Sequence, residues 1–199
     1  MLERLGLSPG GYLLAVGRLS PEKRLEDLIA AHHARMPQLP LVLAGDTNFT
    51  DEYISHLRRI AGPNVVFPGY VRGAALEELV SSALVYAICS SIEGVSLSLL
   101  EAMSLGCPIV ASDIPGNREA LGVPPAGLTF PAHDTEALGE ALERLADDPA
   151  LRARLGVAAA TRAHAVFDWD AIAAATLRVY ERALAGALSS RSEGREDVP

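Results

Sequence analysis
Apolar residues along this chain gather in short uninterrupted runs, and between the runs they recur every third or fourth position. The runs at 12–16, 41–44, 65–67, 84–89, 109–111 and 127–130 read as strands. The helically spaced segments are 21–36, 51–61, 74–82, 97–105, 117–121, 136–145, 151–166 and 171–188. Punctuation agrees with the pattern. Ser20 precedes Pro21 and Asp148 precedes Pro149, each an N-cap followed by proline at the first helical position, and Gly106 closes the segment that begins after Ser96. Strands alternating with helices predict a doubly wound, Rossmann-like parallel sheet of the α/β class.

Length and composition refine this only slightly. The 199 residues suit one domain, expected over 1–188, and the closing SSRSEGREDVP (189–199) is too polar to order, so a disordered tail is expected. Net charge is −8 with no basic block, which argues against a nucleic-acid partner but not against one small phosphate ligand. Cys89 and Cys107 both lie in apolar surroundings and read as reduced, buried thiols, the usage of a cytoplasmic protein. No cluster has metal-ligand spacing, and no run reaches the roughly 20 apolar residues that span a bilayer.

A doubly wound sheet carries its loops to the carboxyl edge of the strands, where ligands bind. Four loops are expected at that rim: 17–23, 45–46, 69–71 and 90–97. In the first, Lys23 falls in the opening turn of its expected helix. Positive charge there opposes the helix dipole, which makes sense if the lysine faces an anion, so Arg18 and Lys23 could grip one diphosphate. In the last, Glu93 and Glu101 flank the start of a helix whose free N–H groups suit a phosphate. A carboxylate accepts both hydroxyls of a vicinal diol, so the layout matches sugar, pyrophosphate and ribose. Tyr70 could stack near a base while the backbone beside it reads the base edge. Taken singly, each of these residues reads equally well as a solvated charge or a packing side chain. His32 and His33 read as surface or boundary residues, and His164 and Trp169 as packing residues. The G-x-G-x-x-G fingerprint is absent after the first strand, which speaks against a nicotinamide dehydrogenase.

Three stretches, GRLSPEKRLEDLI from Gly17, VVFPGYV from Val65 and EGVSLSLLEAMSLGCPIVASD from Glu93, resemble in order and interval the donor-binding, C-terminal half of retaining GT-B glycosyltransferases of family 4. The likeness covers residues 12–188 and includes that family's E-x7-E signature at Glu93 and Glu101. It implies a nucleotide-sugar donor, held without metal or cofactor and transferred with retention of configuration. Arg18, Lys23 and Glu93 would be catalytic, the first two neutralising the pyrophosphate. Glu93 and the backbone of Gly94, Val95, Ser96 and Leu97 would contact the sugar and its nearby phosphate, and Gly17 and Gly45 would also line the donor site; Glu101 would take the ribose, and the backbone around Tyr70 and Val71 the base. It also implies a missing N-terminal acceptor-binding domain, through which any membrane contact would come, and toward which an exposed stripe on the last helix would turn. Alone, this chain would bind donor without turnover. The alternative is a non-catalytic nucleotide-sugar module acting with a partner. The chain departs from the family at Val95-Ser96, where an aromatic-Gly pair is common and Ser96 could cap the helix instead. It departs again at Arg24, in place of glycine, and at Gly45-Asp46-Thr47, in place of Gly-Asp-Gly.

Overall fold
Successive side chains of a strand point to opposite faces, and here both faces are apolar. Leu13, Leu41, Leu43, Val85, Ala87 and Val110 enter one core, while Leu14, Val42, Tyr86, Ile88, Ile109 and Ala111 enter the other. Such strands need helices on both sides. The computed structural model describes residues 1–46 and 51–193 and shows that arrangement. Its strands are β1 (Leu13–Val16), β2 (Leu41–Ala44), β3 (Val65–Gly69), β4 (Val85–Ile88), β5 (Ile109–Ser112) and β6 (Leu128–Phe130). All pair in parallel, in the order β3-β2-β1-β4-β5-β6. The expected Rossmann-like sheet is therefore the observed one.

The helices are α1 (Leu2–Leu5), α2 (Leu25–Arg35), α3 (Asp51–Ile60), α4 (Ala74–Ser81), α5 (Leu97–Ser104), α6 (Pro115–Leu121), α7 (Thr135–Asp147), α8 (Pro149–Val166) and α9 (Trp169–Glu193). Leu28 and Ile29 of α2, Leu57 of α3, and Leu138, Leu142 and Leu145 of α7 fill the first core. Leu79 of α4, Leu99 and Met103 of α5, and Leu121 of α6 fill the second. Cys89 lies in one core and Cys107 in the other, both buried and free; burial pushes the Cys107 thiol up to about 12 and raises that of Cys89 further.

Contacts divide the chain into a unit from Met1 to Ala163 and a second from His164 onward. The second unit consists mainly of α9, whose Asp168 caps it by accepting the Ala171 N–H at 2.8 Å. Trp169, Leu177, Tyr180 and Leu184 share one face of this helix and are exposed, and His164 is exposed too, so neither Trp169 nor His164 packs as expected. The helix includes residues 189–193, assigned above to a disordered tail, and 194–199 lie outside the described residues.

Two local expectations also change. Pro21–Lys23 is a 3-10 turn, not the opening of α2, and Arg24 separates the two in the left-handed region at φ 52°. Lys23 therefore does not oppose the dipole of α2. A glycine fits that backbone without strain; here Arg24 is held by two bonds to Asp27, Nε and Nη2 each at 2.9 Å. His32, expected at the surface, is 1% exposed, and its Nε2 lies 2.7 Å from the Leu39 carbonyl. His33 is exposed and its Nε2 accepts the Gly62 N–H at 3.2 Å.

Burial, then the nearby His33 ring, holds the His32 imidazole below its ordinary 6.5, the Leu39 bond opposing them. Its buried Nδ1 has no partner among the described residues to receive a second proton's bond. Below pH 6.5 the unfolded chain takes up a proton that the folded one refuses, so stability falls with pH until the folded group also titrates. We expect urea midpoints measured between pH 7 and 5 to fall more steeply for the wild type than for His32→Gln.

Candidate functional site
Strands β1 and β4 are neighbours, and β1 pairs β2 along its other edge, so chain direction across the sheet reverses between β1 and β4. The loops that follow these two strands diverge to opposite faces and leave a crevice at their carboxyl ends. Neighbouring rim loops extend the ladder: Gly17 N–H donates to Ala44 O at 3.0 Å, Leu19 N–H to Asp46 O at 3.0 Å, and Gly45 N–H to Gly69 O at 2.9 Å.

A cavity of about 390 Å³ opens over this rim. Gly17, Arg18, Gly45, Asp46, Tyr70, Val71, Arg72, Ser98 and Glu101 are among its walls. A narrower pocket beside it is lined by Gly17, Arg18, Lys23 and Ser90, so Arg18 borders both. Tyr70 is 73% exposed and Val71 is buried. Six of the residues singled out in the sequence, Gly17, Arg18, Gly45, Tyr70, Val71 and Glu101, thus surround one cavity.

Lys23 and Glu93 meet in a different way. They form an ion pair with each other, with side chains 19% and 13% exposed, and Ser90 Oγ donates to the same carboxylate oxygen at 2.7 Å. The backbones are joined as well: Ser91 N–H donates to Glu22 O at 2.8 Å, and Ser91 Oγ to the same oxygen at 3.3 Å. The loop after β1 is thereby fastened to the loop after β4. Glu22 in turn accepts Ser20 Oγ at 2.5 Å and lies 3.7 Å from Arg18. The Ser20 bond, with smaller help from its own backbone and from Arg18 and Lys23, outweighs partial burial and lowers the Glu22 carboxyl below its ordinary range.

Helix α5 begins with its tip open. Gly94, Val95 and Leu97 are exposed. Ser96 occupies the N-cap position but makes no capping bond; its Oγ lies 3.1 Å from Ser98 Oγ, so the cap raised in the sequence reading is not formed. Ser98 also meets Tyr86 Oη at 3.0 Å, and that hydroxyl donates to Val16 O at 3.2 Å, linking α5 to the end of β1. Among the described residues no group of three or more His, Cys, Asp or Glu is placed to hold a metal ion. No described helix is long and apolar enough to cross a membrane. Thr47, the third residue of the Gly45-Asp46-Thr47 departure, lies outside the described residues.

The sequence reading passed over several contributors. Arg72 and Ser98 line the cavity, and each is adjacent to a residue already chosen, so spacing could have flagged them; Asp46, placed at the rim with its loop, lines it too. Ser112 and Asn117, both fully buried, reach the loop from behind and carried no local signal.

With this geometry in view, comparison with known proteins is direct. The family model described as "Glycosyl transferases group 1" matches residues 7–162. Glycogen synthase of Mycobacterium tuberculosis is 34% identical over 178 residues, covering 87% of this chain and 43% of that protein. Among solved structures, sucrose-phosphate synthase from Thermosynechococcus elongatus superposes with a TM-score of 0.83 at 30% identity, over 92% of this chain and 48% of the other. Anabaena HepE, solved with UDP-glucose, has the same fold, with a TM-score of 0.77 at 24% identity over 94% of this chain and 51% of the other. The chain spans about half the length of these proteins.

The close approach of rim loops predicts a sharp contrast between two glycines. A Cβ at Gly45, where φ is +151°, would fall 1.8 Å from the Gly17 carbonyl oxygen, whereas one at Gly94 meets nothing within 4 Å. Gly45→Ala is expected to cost about 2–5 kcal/mol, lowering Tm by roughly 5–15 °C. Gly94→Ala should shift Tm by no more than about 2 °C. Thermal denaturation of the two variants checks this.

Proposed function
This chain belongs to the group 1 glycosyl transferases, and from that premise we propose that it is the nucleotide-sugar-binding part of a retaining enzyme whose acceptor is held by an N-terminal domain. The fold is that of a GT-B glycosyltransferase domain. The observation that carries the reading is a cavity whose walls include Arg18, Glu101 and Ser98, the second residue of α5. A pyrophosphate fits between Arg18 and the helix tip, where a guanidinium fork and free N–H groups supply positive field. Glu101 accepts the ribose hydroxyls, and the backbone about Tyr70 and Val71 meets the base. HepE, of the same fold, was solved holding a donor of this layout, UDP-glucose.

The chemistry asked of these residues is electrostatic. Breaking the glycosidic bond leaves charge on the departing diphosphate, and preorganised cations stabilise that charge as it develops. Arg18 and Lys23 supply it, with α5, in the role a cation fills elsewhere. Lys23 is paired with Glu93 beforehand. An arriving diphosphate competes for the ammonium and leaves Glu93, still bonded to Ser90, to accept hydroxyls of the sugar. The exposed face of α9 is the surface we assign to the N-terminal domain.

Calorimetry with UDP-, GDP- and ADP-sugars tests the reading. One donor should bind this chain, and Arg18→Ala should weaken it roughly ten- to a hundredfold, the loss of a charge-assisted hydrogen bond. Glu101→Ala should weaken the sugar form and its nucleoside diphosphate alike. The Arg18 effect should shrink as salt rises. Unchanged affinities in both variants would remove the assignment, and sugar transfer by this chain alone would remove the need for a second domain.

A further inference from the structure
We infer that Asn117, acting through Ser112, is a positioning residue for Glu93 and thereby for the sugar end of the donor. The inference rests on the donor reading above and adds residues that reading does not use. Ser112 ends β5 and Asn117 lies in α6; neither side chain is exposed. Asn117 Nδ2 donates to Ser112 O at 3.0 Å and to Ser112 Oγ at 3.1 Å. Because that hydroxyl oxygen accepts from the amide, its own proton is directed away, to the Ser90 carbonyl at 2.7 Å. Ser90 completes the relay, its Oγ donating to Glu93 at 2.7 Å. Asn117 thus orients Ser112, Ser112 fixes the Ser90 backbone, and Ser90 aims the carboxylate.

The same helix braces the far side of the loop. A Cβ on Gly116 would fall 2.6 Å from Glu93 O and 2.0 Å from Gly94 O, so α6 starts pressed against the backbone on which the carboxylate is mounted. Residues 90–94 are therefore supported at one end by Ser112 of β5, which Asn117 orients, and at the other by the start of α6. The network is not built for stability alone. Among the described residues Asn117 Oδ1 is buried without a partner, and an apolar side chain of the same shape would leave no orphan acceptor there. What Asn117 gives is direction, at the one loop whose carboxylate meets the sugar. The nucleotide end is built separately, by Arg18, Tyr70 and Val71 on other loops and by Glu101 within α5.

The test uses this chain and three ligand pairs, UDP with UDP-glucose, GDP with GDP-mannose and ADP with ADP-glucose. For a pair that the wild type binds, calorimetry gives the ratio of the sugar form's Kd to that of the nucleoside diphosphate. Asn117→Ala and Ser112→Ala should raise this ratio about three- to tenfold, one hydrogen bond's worth, while the nucleoside diphosphate Kd stays within about twofold. In a Glu93→Ala background, Asn117→Ala should add less than about twofold to the ratio, because the acceptor that Ser90 aims is already gone. A structural residue would weaken both ligands equally. Equal weakening, an unchanged ratio in folded variants, or an undiminished effect beside Glu93→Ala overturns the inference while leaving donor binding intact. If no pair binds the wild type, the donor reading fails and takes this one with it. Should Asn117→Ala not fold, Ser112→Ala decides alone, since it removes one hydroxyl and little packing.

Discussion
Two loops from the two halves of the sheet are tied together where Ser91 meets the Glu22 carbonyl, and Arg18, Lys23 and Glu93 all stand on the loops so joined. Without it, the loop after β1 and the loop after β4 would diverge with the helices they lead into. With it, Arg18 faces the same crevice that Glu101 enters from α5. The tie uses backbone at one partner and both backbone and hydroxyl at the other, so it does not depend on long charged side chains being ordered. The Lys23–Glu93 pair then sits on a frame already closed. That order matters, because an ion pair with both members more than four-fifths buried returns little net stability unless its geometry is held for it.

Most of the fold was legible because the sheet is buried on both faces, and a doubly buried strand announces itself as an unbroken apolar run. β2, at 41–44, was read to the residue. Loops were harder. The sequence around Ser20-Pro21 carries the ordinary signal for a helix start, yet the chain makes a 3-10 turn there and inverts at Arg24 before α2 begins. A positive φ at arginine has no signature in one sequence. His32 was misjudged for a related reason: it lies on the apolar face of α2, but its polarity suggested a boundary, and only the Leu39 carbonyl, seven residues on, makes its burial affordable.

The candidate site divides along the same line. The charged candidates were visible because Arg18, Lys23 and Glu93 stand in loops between a strand and a helix and Glu101 lies one turn inside α5. Their mutual arrangement was not. Sequence reading put Lys23 and Glu93 at separate stations along a ligand; in the structure each is the other's partner. Ser112 and Asn117 were not picked out, since a serine at a strand end and an asparagine in a short helix carry no distinctive signal, and their value lies in bonds from α6 to the end of β5 and from there to the Ser90 carbonyl.

The pairing of Lys23 with Glu93 also bears on how a site of this kind can wait for its ligand. Each charge of the pair offsets part of what it costs the other to leave water. In the proposed binding mode a diphosphate would take the place of Glu93 beside the lysine, one anion for another, and the desolvation already borne for the pair would not be incurred again. The carboxylate would not be abandoned in that exchange, because Ser90 donates to it and sugar hydroxyls could replace the ammonium. Being held from β5 would then matter twice over for the serine, as the donor that stays on Glu93 before and after the exchange.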